Sequence, residues 1–218
     1  MYNGISGIAI AGNVGDTITI KAIAVNGGYS SEVATFTYTK AAGVTVSGTA
    51  VSWNNTDNAV YLLYDSSTSD ADIKADMKLA SPEKALSYTA TKGGITQNAD
   101  GTRSNQEFSF STVEAGTYKL AIFKPGKYVP KIMTIAVADT NVALGEVKLW
   151  LFGDVTYDGR IRTGDATQIL KYIAKTRTFT DEEFLAADIT QDGNIRTGDA
   201  TQIKRYIAKA NSQFDSMP

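Results

Sequence analysis

One unit of 23 residues occurs twice near the C-terminal end of the chain. The first copy spans residues 153–175 and the second spans 187–209, and 17 of the 23 aligned positions are identical. Each copy begins with a segment rich in Asp, Gly and Thr and continues into a segment whose apolar residues recur at helical spacing. A duplication this close implies two equivalent structural units with two equivalent faces.

The Asp-rich half of each copy has the spacing of an EF-hand calcium loop. Calcium prefers six to eight oxygen ligands, and such a loop supplies them from its first, third, fifth, seventh, ninth and twelfth positions around a glycine turn. The predicted ligands of the first loop are Asp154, Thr156, Asp158, the Arg160 carbonyl and Asp165, with Gly159 at the turn. Those of the second loop are Asp188, Thr190, Asp192, the Asn194 carbonyl and Asp199, with Gly193 at the turn. We therefore predict two Ca²⁺ ions, and we expect them to be part of the fold, because the carboxylates of one loop repel one another without a cation.

Both loops depart from the fully acidic pattern. Thr156 and Thr190 supply hydroxyls where a carboxylate is usual, and Arg162 and Arg196 occupy the ninth position, where a cation offers no oxygen. We expect weaker sites, with dissociation constants near ~10⁻⁴ M that millimolar extracellular calcium still fills. A single Asp-x-x-x-Asp-Gly segment is also a common turn, but two full-length copies, each followed by an amphipathic segment, favour metal loops.

The helical half of each copy has an apolar face and a polar face. The residues expected to face the core are Ala166, Ile169, Leu170 and Ile173 in the first copy, and Ala200, Ile203 and Ile207 in the second. Between the copies, Thr180 and Glu183 form a capping-box pattern that predicts a short connecting helix.

The duplicated region resembles a dockerin, the module that binds secreted enzymes and scaffold proteins to the cohesins of cellulosome-type complexes. Each loop is followed by a helix without a clear preceding one, the twelfth ligand is Asp, and the two units together span residues 150–214. The resemblance implies calcium-dependent, one-to-one binding of a cohesin and no catalysis by the module itself. It also implies that the parent protein is secreted by a bacterium and held in an extracellular or cell-surface complex that degrades polysaccharides.

In dockerins similar to this one, cohesin is contacted by loop positions ten and eleven and by the helix that follows. The first row that the resemblance assigns to cohesin binding is Thr163, Gly164, Thr167, Lys171 and Lys175. The second row is Thr197, Gly198, Thr201, Arg205 and Lys209. Since the rows differ only by the exchange of Lys171 for Arg205, a cohesin turned by half a rotation could bind either one. We therefore predict a dual binding mode.

The rest of the chain is predicted to be all-β. It is expected to contain an immunoglobulin-like or carboxypeptidase-regulatory-like sandwich, which precedes the small all-α dockerin. Residues 1–40 contain a predicted hairpin around Asn26, Gly27 and Gly28 and resemble the closing strands of a fibronectin-like domain. Forty residues are too few to bury a sandwich core alone, so this piece is expected to be partial or to pack on its neighbour. Residues 41–149 are predicted to form one sandwich, which resembles the X-modules that precede some dockerins. Its predicted strands are 44–53, 59–64, 107–111, 117–123, 131–138 and 142–151.

No Pro-, Ser- or Gly-rich linker separates the sandwich from the repeats. Residues 148–154 lead from the last predicted strand directly into the first calcium loop, so the two modules should move as one body. We expect Trp150 and Phe152 to pack on the dockerin near Phe214, which would join the two ends of that module, and residues 215–218 to form a tail. In families similar to this one the X-module stabilises the dockerin.

Composition narrows the alternatives. The chain has no His and no Cys, which removes the usual zinc sites and the Ser-His and Cys-His catalytic pairs, so we predict no enzymatic activity. A net charge of −2 without a basic run argues against nucleic acid, and no long apolar stretch predicts membrane insertion. The chain also lacks a signal peptide and begins within a predicted domain, so we expect it to be part of a longer protein.

The alternative function is a carbohydrate-binding β-module of a secreted glycoside hydrolase, with Trp53, Tyr61 and Tyr64 as a sugar-stacking platform, although aromatic residues in strands are more often core. A calcium-sensing switch is disfavoured, because Met217 is the only methionine of the repeat region.

Overall fold

The computed structural model describes residues 15–39, 43–53, 57–91, 94–125 and 127–210, together with Ser212 and Phe214. Along these residues the chain passes from β-strands to helices, so the predicted order of an all-β region followed by a small helical region is confirmed. The first fourteen residues and the expected tail at 215–218 lie outside the described residues. No helix in the described part of the chain is long and apolar enough to cross a membrane.

The first described residues form two small two-stranded sheets. Their strands are β1 (Thr17–Ala22), β2 (Val25–Asn26), β3 (Tyr29–Ser30) and β4 (Ala34–Thr39). β1 pairs antiparallel with β4, and β2 pairs with β3 around Gly27 and Gly28, whose positive φ angles of 57° and 88° suit the tight turn. Most apolar side chains of these strands are exposed, including Val25 at 65% and Tyr29 at 84%, while Ile18 and Ile20 are half-buried. Among the described residues, none of these side chains belongs to the cores of the modules that follow.

The next region is a sandwich of two four-stranded sheets. Its elements are β5 (Val44–Trp53), β6 (Val60–Asp65), α1 (Asp70–Asp76), β7 (Ser87–Ala90), β8 (Thr96–Gln97), β9 (Thr102–Val113), β10 (Gly116–Phe123), β11 (Lys131–Val137) and β12 (Val142–Lys148). One sheet has the order β11-β10-β6-β7 and the other β12-β5-β9-β8. All neighbouring strands are antiparallel except β12 and β5, which run parallel.

The core of the sandwich lies between these sheets. It is built from inward-facing residues such as Val46, Leu63 and Leu120, and it includes Tyr61 stacked on Phe108 with ring centroids 4.2 Å apart. The Tyr61 hydroxyl donates to the Gln106 carbonyl at 2.8 Å, so the buried ring carries no unpaired polar group. Tyr61 and Tyr64 are both fully buried, which removes them as a sugar-stacking platform.

Helix α1 covers the outer face of the β6–β10 sheet, and the sequence analysis missed it. Ser69 caps the helix by accepting the Asp72 N–H at 3.1 Å, and Ile73 packs on Leu62 and Tyr64. The Tyr64 hydroxyl donates to the buried carboxylate of Asp76 at 3.0 Å. Strand β6 is therefore buried on both faces, which explains why its sequence lacks the alternation of a half-buried strand.

The C-terminal region contains three helices around a second core. They are α2 (Thr163–Ile173), α3 (Asp181–Ala187) and α4 (Thr197–Ile207). The predicted capping box of α3 is present, since the Thr180 hydroxyl accepts the Glu183 N–H at 3.2 Å and the Glu183 carboxylate accepts the Thr180 N–H at 3.0 Å. The core combines Ala166, Ile169, Ala200 and Ile203 of the two long helices with Val155, Ala187, Ile189 and Phe214.

Three residues expected in that core are exposed instead. Leu170, Ile173 and Ile207 are 39%, 36% and 42% exposed, so the prediction that they face the core is wrong. The physical reason is the small size of the helical core: α2 and α4 pack mainly on each other, and the residues at the edge of each apolar face remain in solvent.

The junction between the sandwich and the helical region remains hydrogen bonded throughout. β12 ends at Lys148 rather than Leu151, but the Leu149 N–H donates to the Val51 carbonyl and the Phe152 N–H to the Lys127 carbonyl, at 2.8 and 2.9 Å. The Gly153 N–H then donates to the Ala186 carbonyl of α3 at 2.8 Å. No free linker therefore separates the two regions.

Candidate metal centres and binding faces

The first candidate loop folds around two buried carboxylates. Asp154 accepts the N–H groups of Asp158 and Gly159 at 3.0 and 2.8 Å. Asp165, at the other end of the loop, accepts the backbone N–H of Thr156 at 3.0 Å, its hydroxyl at 2.9 Å and the Arg162 N–H at 2.8 Å. The twelfth position of the loop is thus also the third residue of α2, so one carboxylate ties the start of the loop to the start of the helix.

The second loop repeats this geometry. Asp188 accepts the N–H groups of Asp192 and Gly193 at 3.1 and 2.9 Å. Asp199 accepts the Thr190 N–H and hydroxyl, each at 3.0 Å, and the Arg196 N–H at 2.9 Å. Gly193 has a φ of 76°, as Gly159 has a φ of 80°, and both lie in the left-handed region that favours glycine. The sequence duplication is therefore also a structural duplication.

The buried acids of these loops fit a divalent cation. Asp154, Asp165, Asp188 and Asp199 are all buried, and within the described residues none has a Lys or Arg nitrogen within ion-pair distance. Buried charges in proteins are normally paired or bound to metal. The pKa of Asp154 is raised to about 6, chiefly by burial and also by the carboxylates of Asp165 and Asp158, against the lowering effect of the loop N–H groups that it accepts. A bound cation would cancel this repulsion.

The acids of one loop do not form a complete ligand shell. No group of three acidic side chains in the described ranges is placed to hold an ion without other ligands. The predicted shell accordingly depends on the Thr156 and Thr190 hydroxyls and on the Arg160 and Asn194 carbonyls as well as on the Asp residues. These assignments remain predictions.

The arginines at the ninth position point back to the fifth-position carboxylates, a pairing that the sequence analysis missed. Arg196 forms an ion pair with Asp192, whereas the Arg162 Nη1 remains 3.9 Å from the Asp158 Oδ2. The i, i+4 spacing of opposite charges is the signal that would have indicated it. These pairs partly neutralise the exposed rim of each loop.

The two predicted rows lie on the surface of α2 and α4 and at the ends of these helices. All ten residues are exposed: Thr163, Gly164, Thr167, Lys171, Lys175, Thr197, Gly198, Thr201, Arg205 and Lys209. The hydroxyls of Thr167 and Thr201 each donate to a carbonyl one turn earlier, at 2.9 and 2.8 Å. The exposed apolar residues Leu170 and Ile173 border the first row, and Ile207 borders the second. Each face therefore combines cationic, hydroxyl and apolar groups.

Lys127 and Lys131 of the sandwich region both contact the helical region. The Lys127 Nζ lies over the rings of Tyr206 and Phe214, at 5.1 and 5.8 Å from their centroids. Phe214 itself is fully buried, and a Cβ on Gly153 would lie 2.5 Å from its ring, so the two ends of the helical region meet here as expected. On the other side, the Lys131 Nζ pairs with the Glu182 carboxylate at 2.8 Å.

Trp150 packs on the helical region as predicted, but its contact with Tyr157 was not predicted from the sequence. It packs on Tyr157 of the first candidate loop with ring centroids 4.6 Å apart, and Trp53 of β5 meets the same ring edge-on at 5.8 Å. Trp53 is thus part of the junction between the two regions. Phe152, as predicted, packs against the helical core that contains Phe214.

Comparison with known proteins gives one family match. Residues 152–208 match the family described as the dockerin type I domain. No curated protein matches the chain. Among solved structures, the Bacillus anthracis TIE protein aligns with 62% of this chain at 12% sequence identity and a TM-score of 0.28, and the chain spans about a quarter of that protein's length, or 24%.

Dockerin domains are non-catalytic modules that bind cohesins and depend on calcium. The family match falls on the two loop-helix units whose buried acids fit a cation, and the β-rich region lies immediately before it. Residues 152–208 are therefore a dockerin type I domain, preceded in this chain by a β-sandwich.

Proposed function

We propose that this chain anchors its parent protein to a cohesin through a dockerin loaded with two Ca²⁺ ions. The observation that carries the proposal is the pair of exposed, nearly identical rows on α2 and α4 of the dockerin domain. Four of the five positions of each row are identical, and the fifth keeps its positive charge as Lys171 or Arg205. The proposed stoichiometry is one cohesin to one dockerin.

Each row has the composition of a docking surface. Lys171 and Lys175 of the first row have no ion pair within the described residues, so their charges are free for acidic groups of a partner. Leu170 and Ile173 provide apolar area beside them. Protein interfaces commonly combine an apolar centre with a polar, charged rim.

The placement of the sandwich is compatible with the proposed dual binding mode. Its contacts with the dockerin involve Tyr157, Glu182, Tyr206 and Phe214, and both rows remain exposed beside it. A cohesin could therefore use either row without displacing the sandwich. The position of the parent protein relative to the cohesin would differ between the two orientations.

The sandwich is proposed to stabilise the dockerin, as an X-module does, and the chain is proposed to act by binding rather than by catalysis. Its direct hydrogen bonds to the segment 149–152 and the Lys131–Glu182 pair support the first point. The parent protein is proposed to be a secreted bacterial protein of a cellulosome-type or cell-surface complex that degrades polysaccharides. The carbohydrate-binding alternative is less favoured, because two of its three candidate aromatic residues are buried in the sandwich.

The two-row proposal can be tested with charge-reversal variants measured against a cohesin that binds the wild type. Thr163→Asp with Lys171→Asp removes the first row, and Thr197→Asp with Arg205→Asp is its matched counterpart. We expect each pair alone to weaken binding only about twofold, since one of two equal orientations is lost. All four changes together should weaken it at least about a hundredfold. Loss of binding from one pair alone would contradict the dual mode.

A further inference from the structure

The two calcium loops differ at their fourth position. Tyr157 stands there in the first loop and Gln191 in the second, within sequences that otherwise match closely. Both residues have left-handed backbone conformations, with φ angles of 55° and 54°. This conformation is unfavourable for residues other than glycine, so each loop needs some other interaction to hold its shape.

Among the described residues, Tyr157 has aromatic contacts with the sandwich and Gln191 has none. Its ring contacts Trp150 at 4.6 Å and Trp53 at 5.8 Å, and the Lys148 Nζ lies 5.3 Å from its centroid. Gln191 at the equivalent place is exposed. Aromatic contacts of this kind stabilise beyond the area they bury. The fourth position of the first loop is therefore held by aromatic contacts with the sandwich, whereas Gln191 of the second loop lines an open cavity beside the sandwich.

The fifth-position ligands differ in the same direction. In the second loop Arg196 pairs with Asp192, so a calcium ion has to compete with a guanidinium for that carboxylate. In the first loop Arg162 remains 3.9 Å from Asp158, beyond hydrogen-bond distance. This difference is independent of Tyr157 and also favours calcium in the first loop.

We propose that Tyr157 is a positioning residue that holds the first loop ready for calcium, so that this loop binds Ca²⁺ more tightly than the second. A loop already ordered in its binding conformation loses less conformational entropy when the ion binds. Calcium in the first loop would in turn stabilise the junction with the sandwich, because binding and the docked conformation favour each other. The inference rests on the proposed function in one respect, namely that both loops bind calcium.

The chain contains its own reporter for this test. It has two tryptophans, Trp53 and Trp150, and both contact Tyr157 of the first loop. Tryptophan fluorescence followed during a calcium titration should therefore respond to the first loop, while calorimetry in the same buffer counts both events. We expect two events whose affinities differ about tenfold, with the fluorescence change accompanying the tighter one. Asp154→Asn should abolish the tighter event and Asp188→Asn the weaker one.

Variants at the fourth position separate positioning from general stability. Tyr157→Gln copies the second loop and should reduce the affinity of the first loop about tenfold, leaving the second unchanged. Tyr157→Phe should keep the wild-type affinities, because the buried Tyr157 hydroxyl has no hydrogen-bond partner. Gln191→Ala is the matched control and should change neither event.

Three results would overturn the inference. They are a tighter event that is silent in tryptophan fluorescence, equal affinities in the wild type, or a Tyr157→Gln variant whose two affinities keep the wild-type ratio. The wild-type fluorescence assignment does not depend on any variant folding correctly. Failure of the calcium loading on which the inference rests would look different, since no calcium would then bind at either loop, whereas failure of cohesin binding alone would leave both calcium events in place.

Discussion

Lys124 is the most unusual single residue of the sandwich. Its ammonium is buried, donates to the Gln106 Oε1 at 2.9 Å and to the Asp57 carbonyl, and has no carboxylate in ion-pair contact within the described residues. Burial lowers the pKa of Lys124 to about 8, against a smaller opposing effect of Asp57. The native protein therefore releases this proton at lower pH than the unfolded chain does.

This depressed pKa predicts that alkaline pH stabilises the sandwich. Below pH 8 the lysine is charged in both states and its burial cost is fully present. Between pH 8 and about 10.5 the unfolded chain binds more protons than the native protein, so the free energy of unfolding rises with pH. We expect a gain of about 1–2 kcal/mol between pH 7.5 and 9.5 in urea unfolding. Lys124→Met should remove the dependence, and a wild-type profile parallel to that of the variant would contradict it.

At the residue scale, sequence reasoning found what the backbone pattern requires and missed what depends on long-range contacts. The loop geometry around Asp154, Asp165, Gly159 and their counterparts could be predicted because the EF-hand pattern fixes the spacing and the turn, while their role as calcium ligands stays a prediction. Tyr157 could not, because its role depends on Trp53, which lies about a hundred residues earlier. The only signal in the sequence was that Tyr157 breaks the repeat where Gln191 stands.

The helices of the dockerin depend on the loops that precede them. α2 and α4 begin immediately after their loops, and Asp165 and Asp199 belong to both. Without a cation these buried acids repel the other carboxylates of their loops, which opposes the start of each helix.

Calcium removal should therefore unfold these two helices before the sandwich. We expect EDTA to reduce the helical circular dichroism signal near 222 nm substantially, and excess calcium to restore it. Magnesium added in place of calcium serves as the control, because Mg²⁺ demands a tighter octahedral shell and should restore less signal. An unchanged signal in EDTA would mean that the helices fold without metal.

At the element scale, strand positions were predicted better than strand ends. β5 matches its predicted range at 44–53, and β10 and β11 differ from theirs by one residue. The segment between residues 65 and 102 was largely missed, since α1, β7 and β8 are short and their sequences lack a strong apolar period. β12 is shorter than predicted because the chain leaves the β12–β5 ladder after Lys148 to reach the dockerin.

For the whole molecule, the docked sandwich and dockerin should unfold together. Trp150 lies at the join, packs on Tyr157, and accepts the Val129 N–H through its carbonyl at 2.8 Å. Removing its ring leaves the backbone bonds intact but deletes the aromatic contact between the two regions.

Trp150→Ala should therefore uncouple the two regions at a cost of about 2 kcal/mol. We expect one cooperative calorimetric transition for the wild type in calcium, and two for the variant, with the dockerin unfolding first. Tyr88→Ala, which removes an exposed ring of the sandwich, is the control and should keep a single transition. Two transitions already present in the wild type would show that the regions are independent.

The order of the modules and the direct join between them could be predicted from the sequence, because residues 148–154 contain no linker. The way in which the two bodies touch could not, since Lys127 and Lys131 lie on the sandwich while their partners lie on the dockerin. Such pairings between distant segments leave no local pattern in the sequence.

Calorimetric titration of this chain against a panel of cohesins, once in calcium and once in EDTA, tests the central claim most directly. We predict tight binding to at least one cohesin with a stoichiometry of one, and no binding in EDTA. Calcium uptake by the dockerin without binding to any cohesin of a broad panel would contradict the anchoring function, as would cohesin binding that persists in EDTA.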